Sequence, residues 1–145
     1  MLFGKIDFIN LLPFHIYLKR SPLQNAFKQS VGYKKGTPSA LNYQLKRRKI
    51  DAAVISSIES TKRSYQTIDM GIVAKKEVTS VLVKQGIYQK DPASATSNAL
   101  AKVLGIEGEV LIGDRALRAY LKDPESYIDL AKLWNEKTGL PFVFA

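Results

Sequence analysis

Residues 51–59 read Asp51-Ala52-Ala53-Val54-Ile55-Ser56-Ser57-Ile58-Glu59. The first five make a short buried-type strand. Ser56, with Glu59 three residues on, has the capping-box pattern of a helix start. A strand that runs straight into a capped helix is the repeating unit of an α/β chain.

Similar junctions recur on both sides. Phe3–Ile9 alternates like a strand, Asn10 follows, and Pro13 stands where proline opens a helix over Phe14–Lys19. A short helix is expected around Leu23, Ala26 and Phe27, then a polar stretch to residue 35. Thr37 and Pro38 form an N-cap and first helical position. The helix they start carries Leu41 and Leu45 on one face. Downstream, Ile68–Ala74 and Thr79–Val83 read as strands. Pro92–Thr96 leads into a helix with Ala95, Ala99, Leu100 and Val103 on one side. Glu109–Ile112 is a strand entering Gly113-Asp114, with Asp114 expected to cap a helix bearing Leu117 and Leu121. Asp123-Pro124 is expected to open a last helix, with Ile128, Ala131 and Trp134 inward and Gly139 past its end. Pro141–Ala145 is strand-like. This alternation predicts an α/β fold with largely parallel pairing.

The chain has 145 residues, 46% hydrophobic and 24% charged, which suits one globular domain or two small lobes. The absence of Cys excludes disulfides, thiolate zinc sites and cysteine nucleophiles. The single His15 reads as a surface or packing residue, since no orienting or metal partner is near it in sequence. No P-loop, GxGxxG or RNA-binding signature is present. The apolar stretches are too short to span a membrane. Lys5, Asp7 and Pro13 interrupt the apolar N-terminus, which reads as a first strand rather than a signal peptide, so the expected compartment is the cytoplasm.

The net charge of +9 invites three partners: nucleic acid, anionic lipid or a small anion. The most conspicuous basic run, Lys46-Arg47-Arg48-Lys49, falls at a helix end, where cations complement the dipole and need no partner. Four junctions carry small polar residues: Asn10, Ser56/Ser57, Ser94/Thr96/Ser97 and Asp114. Each alone is an ordinary N-cap. Together, outside the carboxyl ends of strands, they predict a cleft for a small anionic molecule.

Those junctions lie in blocks that follow a family's order. The blocks are Asp7-Phe8-Ile9-Asn10-Leu11-Leu12-Pro13, Gly36-Thr37-Pro38-Ser39-Ala40-Leu41-Asn42, Ile50–Glu59, Val78-Thr79-Ser80-Val81-Leu82-Val83, Ala93-Ser94-Ala95-Thr96-Ser97, Leu111–Leu117, Leu130–Trp134 and Thr138–Ala145. In this order they resemble the chorismate dehydratases of the futalosine route to menaquinone, over most of the chain.

The resemblance implies a two-lobed fold like type II periplasmic binding proteins, with the ligand between lobes. Lobe one would take residues 1–77, lobe two 78–140, and 141–145 would return to lobe one. The remaining helices of lobe one would be absent, leaving apolar surface that favours homo-oligomers. The links Lys84–Pro92 and Gly105–Glu109 look short, which implies a trimmed lobe two.

The implied reaction removes water from chorismate to give 3-[(1-carboxyvinyl)oxy]benzoate. The C4 hydroxyl leaves with the C3 hydrogen and the ring becomes aromatic, so the enzyme mainly positions and polarises. By the resemblance, Asn10 and Ser56 are catalytic, Asn10 orienting the substrate near the leaving hydroxyl. Ser56 and Ser57 would hold one carboxylate and Ser94, Thr96 and Ser97 the other. Ser80 joins the substrate-binding set, and Asp114 lines the cleft or caps its helix. With no evident protein base, the substrate's enolpyruvyl carboxylate is left to take the C3 proton. No cofactor or metal is implied, and neither nucleic acid nor membrane is an expected partner. The alternatives are a sister enzyme acting on a futalosine-derived intermediate and a non-catalytic binder of a small carboxylate. The Asn10 and Ser56-Ser57 context favours the dehydratase.

Overall fold

The alternating residues that follow Met1 form β1, Leu2–Lys5. The computed structural model describes residues 1–145, in two compact units, Met1–Ile55 and Ser56–Ala145. In the first, β1 is the central strand of a parallel sheet of order β2-β1-β3, with β2 at Gly32–Lys35 and β3 at Ala52–Ala53. Helices α1 (Leu12–Arg20) and α2 (Asn25–Ser30) connect β1 to β2, and α3 (Pro38–Lys46) connects β2 to β3. As expected, Thr37 caps α3: its Oγ1 accepts from Ala40 N–H at 3.4 Å. Leu41 and Ile50 are fully packed beneath β1. A Cβ on Gly4 would stand 2.8 Å from Ile50 Cδ1 and 2.9 Å from Ala53 Cβ, so glycine is what lets these elements close on the strand.

Two expectations change here. The first strand stops at Lys5, and Ile9–Leu11 tightens into a 3-10 turn. Asp7, held by Lys5 at 3.0 Å and Lys35 at 2.8 Å, stays on the surface. Hydrogen bonds from Lys35 and then Lys5 keep its carboxyl below the usual range. The polar stretch to residue 35 contains β2, whose four residues are all exposed. An edge strand with exposed lysines lacks the apolar alternation that marks a strand in sequence.

The second unit starts with α4 (Ser57–Ser60), then β4 (Val73–Ala74) and β5 (Val81–Gln85). Next come α5 (Ala95–Leu104), β6 (Gly108–Ile112) and α6 (Gly113–Lys122). The chain ends with β7 (Tyr127–Asp129), α7 (Leu130–Thr138) and β8 (Phe142–Val143). Strand β5 lies between β6 and β7 and is antiparallel to both; β4 and β8 form a separate antiparallel pair. Parallel pairing is therefore confined to the first unit, apart from the isolated bridge of Gln89 with Glu109. The physical reason is a reversal before the helix. Gly86, at φ +140, takes a conformation that favours glycine, and Gln89 then runs parallel to Glu109. Helix α5 thus joins two parallel segments, and β5 is left antiparallel to β6.

The period-two pattern of β5 and β6 separates two cores. Val81, Val83 and Val110 pack with Leu100, Ala101 and Leu104 of α5, Leu130 and Ala131 of α7, and Phe142. Leu82 and Leu111 pack with Ala116 of α6, with Tyr120 and Tyr127 beside them. The buried face of α5 is Thr96, Ser97, Leu100, Ala101 and Leu104, whereas Val103 points outward, 73% exposed. Asp114 is not a cap: α6 begins at Gly113 with Ile112 as its N-cap, and Asp114 sits in the first turn. The expected last helix is three elements, a 3-10 turn at Pro124–Ser126, then β7 and α7. Gly139 ends α7 at φ +70, as expected. The cap of α7 is Asp129, whose Oδ1 accepts from Ala131 and Lys132 N–H at 2.9 and 3.0 Å. Its Oδ2 accepts from Val78 and Thr79 N–H at 2.8 and 2.6 Å. No helix is long and apolar enough to cross a membrane.

Candidate functional site

Asn10 lies in the first unit, in the 3-10 turn beyond the carboxyl end of β1, and is exposed. That is the edge of a parallel sheet where ligands are bound. His15 has no such place: its Nε2 is 3.4 Å from Ile6 O and its ring lies against Phe14.

The other expected residues belong to the second unit. Ser56 is buried at the N-cap position of α4, and its carbonyl accepts from Glu59 and Ser60 N–H at 2.9 and 3.0 Å. Its side chain does not make the capping bond that the Ser-x-x-Glu spacing predicts. Glu59 accepts from Tyr65 OH at 2.8 Å and pairs with Lys62 at 2.5 Å. Burial, then the bond to Glu59 and its charge, push the Tyr65 phenol up to about 12.

Ser94 caps α5. Its Oγ accepts from Ser97 N–H at 3.1 Å and donates to Ser97 Oγ at 2.8 Å. Both serines are buried, Ser97 at 2% exposure, so much of their polarity is spent on holding the first turn of α5. Thr96 is the member that reaches across. Its Oγ1 lies 3.4 Å from Ser57 Oγ and accepts from Ile58 N–H at 3.5 Å. The SSIE and SATS segments, thirty-nine residues apart at this contact, therefore meet through hydroxyls. Ser57 N–H in turn donates to Phe144 O at 2.8 Å, which brings the segment after β8 to the same place.

Two expected residues have other partners. Ser80 precedes β5 and accepts from Gly113 N–H at 2.9 Å through its carbonyl. Asp114 is exposed on a groove of about 540 Å³ along α6, lined by Arg115, Arg118, Lys122 and Tyr127 among others. None of the hydroxyl residues lines that groove. No group of three or more His, Cys, Asp or Glu is arranged to hold a metal ion. Sequence reading missed Asp129, although an Asp before Leu-Ala-Lys is an N-cap signal. Its second role, on Val78 and Thr79, has no local signature.

The sequence model of the family described as Menaquinone biosynthesis matches residues 1–108 and 88–145. A curated protein of Campylobacter jejuni subsp. jejuni serotype O:23/36 (strain 81-176), named Chorismate dehydratase, is 63% identical over 146 residues. The match takes in 100% of this chain and 66% of that protein. The aligned length exceeds the chain by a single position.

Proposed function

The chain belongs to the menaquinone biosynthesis family, and from that membership we propose that it carries the machinery of a chorismate dehydratase. The reaction is loss of water from chorismate to give 3-[(1-carboxyvinyl)oxy]benzoate. The observation that carries this reading is 63% identity, along the whole chain, to a protein named Chorismate dehydratase.

The meeting of Ser57 with Thr96 supports the roles. The hydroxyls at that meeting suit a carboxylate, since the Ser57 and Ile58 N–H groups are already bonded to Phe144 O and Thr96 Oγ1. In this reading Ser56 and Ser57 serve one carboxylate, and Thr96, set by Ser94 and Ser97, serves the other. Asn10 orients the substrate at the leaving C4 hydroxyl and Ser80 completes the binding set, while Asp114, expected in that set, lines a separate groove along α6. Aromatisation drives the step, so the protein's task is orientation and polarisation. The enolpyruvyl carboxylate of the substrate takes the C3 proton.

We read the architecture as that of a type II periplasmic binding protein, with lobe one at 1–77, lobe two at 78–140 and a return at 141–145. The pairing of Val73 with Val143 and Ala74 with Phe142 supports the return. The compartment, by the same resemblance, is the cytoplasm.

The test is conversion of chorismate by this chain, followed by absorbance and product chromatography. Asn10→Ala and Ser56→Ala are each expected to lower turnover by ~10²-fold or more. Full turnover in both would overturn the placement of the site. Chorismate affinity without product would favour the non-catalytic binder.

A further inference from the structure

The N-terminal turn of α5 is held by an ionic network to which the roles above assign no task. Asp91 is buried, its side chain 7% exposed. Its N–H donates to Asn98 Oδ1 at 3.0 Å, and Asn98 Nδ2 donates back to the Asp91 carbonyl at 2.8 Å. Ser94 N–H donates to that same carbonyl at 3.3 Å. On the carboxylate, Oδ1 accepts from Ala93 N–H at 2.8 Å and Oδ2 accepts from Arg115 Nη2 at 3.0 Å. Arg115 belongs to α6. Its Nη2 also donates to Val110 O at 3.3 Å, and its Nη1 lies 3.7 Å from Glu109 Oε1. One guanidinium thus ties β6 to the segment that opens α5.

The position of this network is informative. A buried carboxylate is costly unless every lone pair is served. Here that carboxylate stands three residues before Ser94, the cap of the helix turn that carries Thr96 and Ser97. Its bonds run to Ala93 and Arg115, while the main chain of the same residue is clasped by Asn98 and Ser94. These contacts fix where α5 begins and so where Thr96 Oγ1 stands relative to Ser57. Arg115 itself is 56% exposed and lies outside both apolar clusters.

We propose that Asp91, Asn98 and Arg115 are positioning residues for the α5 hydroxyl set, acting on the substrate carboxylate through Thr96. This rests on the reading that those hydroxyls bind a carboxylate of chorismate. Sites of this kind need supporting residues that lock the groups in contact with substrate.

The experiment compares Asp91→Asn, Arg115→Gln and Arg115→Lys in the full chain. Three readouts are taken: thermal unfolding, amide exchange at Ala93, Ser97 and Asn98, and calorimetric affinity for chorismate. For Asp91→Asn and Arg115→Gln, exchange at those amides is expected to quicken at least tenfold, and chorismate affinity to fall at least tenfold. Arg115→Lys is expected to restore part of both. Lowered thermal stability with unchanged chorismate affinity would overturn the proposal, and so would unchanged exchange at the three amides. If the unmodified chain fails to bind chorismate, the substrate reading falls and takes the proposal's substrate half with it. Unchanged affinity in variants of a chorismate-binding chain defeats the positioning role alone.

Discussion

Asp129 shows how much one side chain can hold. Its two oxygens accept four backbone N–H bonds, two at the start of α7 and two on Val78 and Thr79. Charged acceptors make the stronger class of hydrogen bond, and removing one leaves donors unsatisfied. Asp129→Ala is therefore expected to lower stability by about 3 kcal/mol or more, measured by urea denaturation. Asp129→Asn, which keeps one acceptor oxygen, is expected to lose less. Tyr65 gives a pH signature. Its folded pKa of about 12 exceeds the ordinary phenol value of 10. The neutral phenol is thus the form the fold favours. Its contribution is complete below pH 10 and is lost as pH rises from 10 through 12. The stability gap between the unmodified chain and Tyr65→Phe is expected to close across that interval. Tyr65→Phe is also expected to delete a phenolate absorbance step near pH 12. Of these two residues, only Asp129 carries a local signal, an N-cap pattern that the sequence reading passed over. The partners of Tyr65 and of Asp129 Oδ2 depend on where other segments are brought, which no local pattern records.

At the level of elements, the β5–β6 pair depends on a glycine. A Cβ at Gly108 would stand 2.1 Å from Lys84 O, against backbone that cannot swing away. Gly108→Ala is expected to cost about 3 kcal/mol, as overpacking of a tight strand pair does. Gly105, at φ +69 with open space around it, is a helix C-cap, and Gly105→Ala is expected to cost only about 1 kcal/mol of backbone strain. Chemical denaturation of the two variants tests the contrast. Helix α5 teaches a related lesson. Its existence and its cap at Ser94 are readable from hydroxyls before an apolar run. Its buried face is not the one the apolar residues alone mark, because Thr96 and Ser97 are buried in place of Ala95 and Val103. Accordingly, Leu100→Ala is expected to lose about 3 kcal/mol. Val103→Lys is expected to stay within about 0.5 kcal/mol of the unmodified chain. Strands β2 and β7 were missed for different reasons. Strand β2 is an exposed edge, and β7 is three residues wedged between helical turns.

Over the whole molecule the +9 charge is unevenly shared. Residues 1–55 carry ten Lys and Arg against two Asp and Glu, while residues 56–145 carry twelve against eleven. The basic run after α3 is thus part of a broad positive field on the first unit, beyond helix-end complementarity alone. Such a field draws in a dianion and is screened by salt. On the proposed chorismate reading, affinity is therefore expected to fall several-fold between about 0.05 and 0.5 M salt, measured by calorimetry. Composition, the order of the motif blocks and the capping residues Thr37 and Ser94 were legible from the chain, because each rests on neighbours within a few positions. Membership of the family was legible for the same reason, since ordered local blocks carry it. The direction of β5, the buried face of α5, the four-bond role of Asp129 and the meeting of Ser57 with Thr96 were not. Each of these needs two segments tens of residues apart to be packed together, and that choice is made by close-packing and backbone hydrogen-bond satisfaction across the fold.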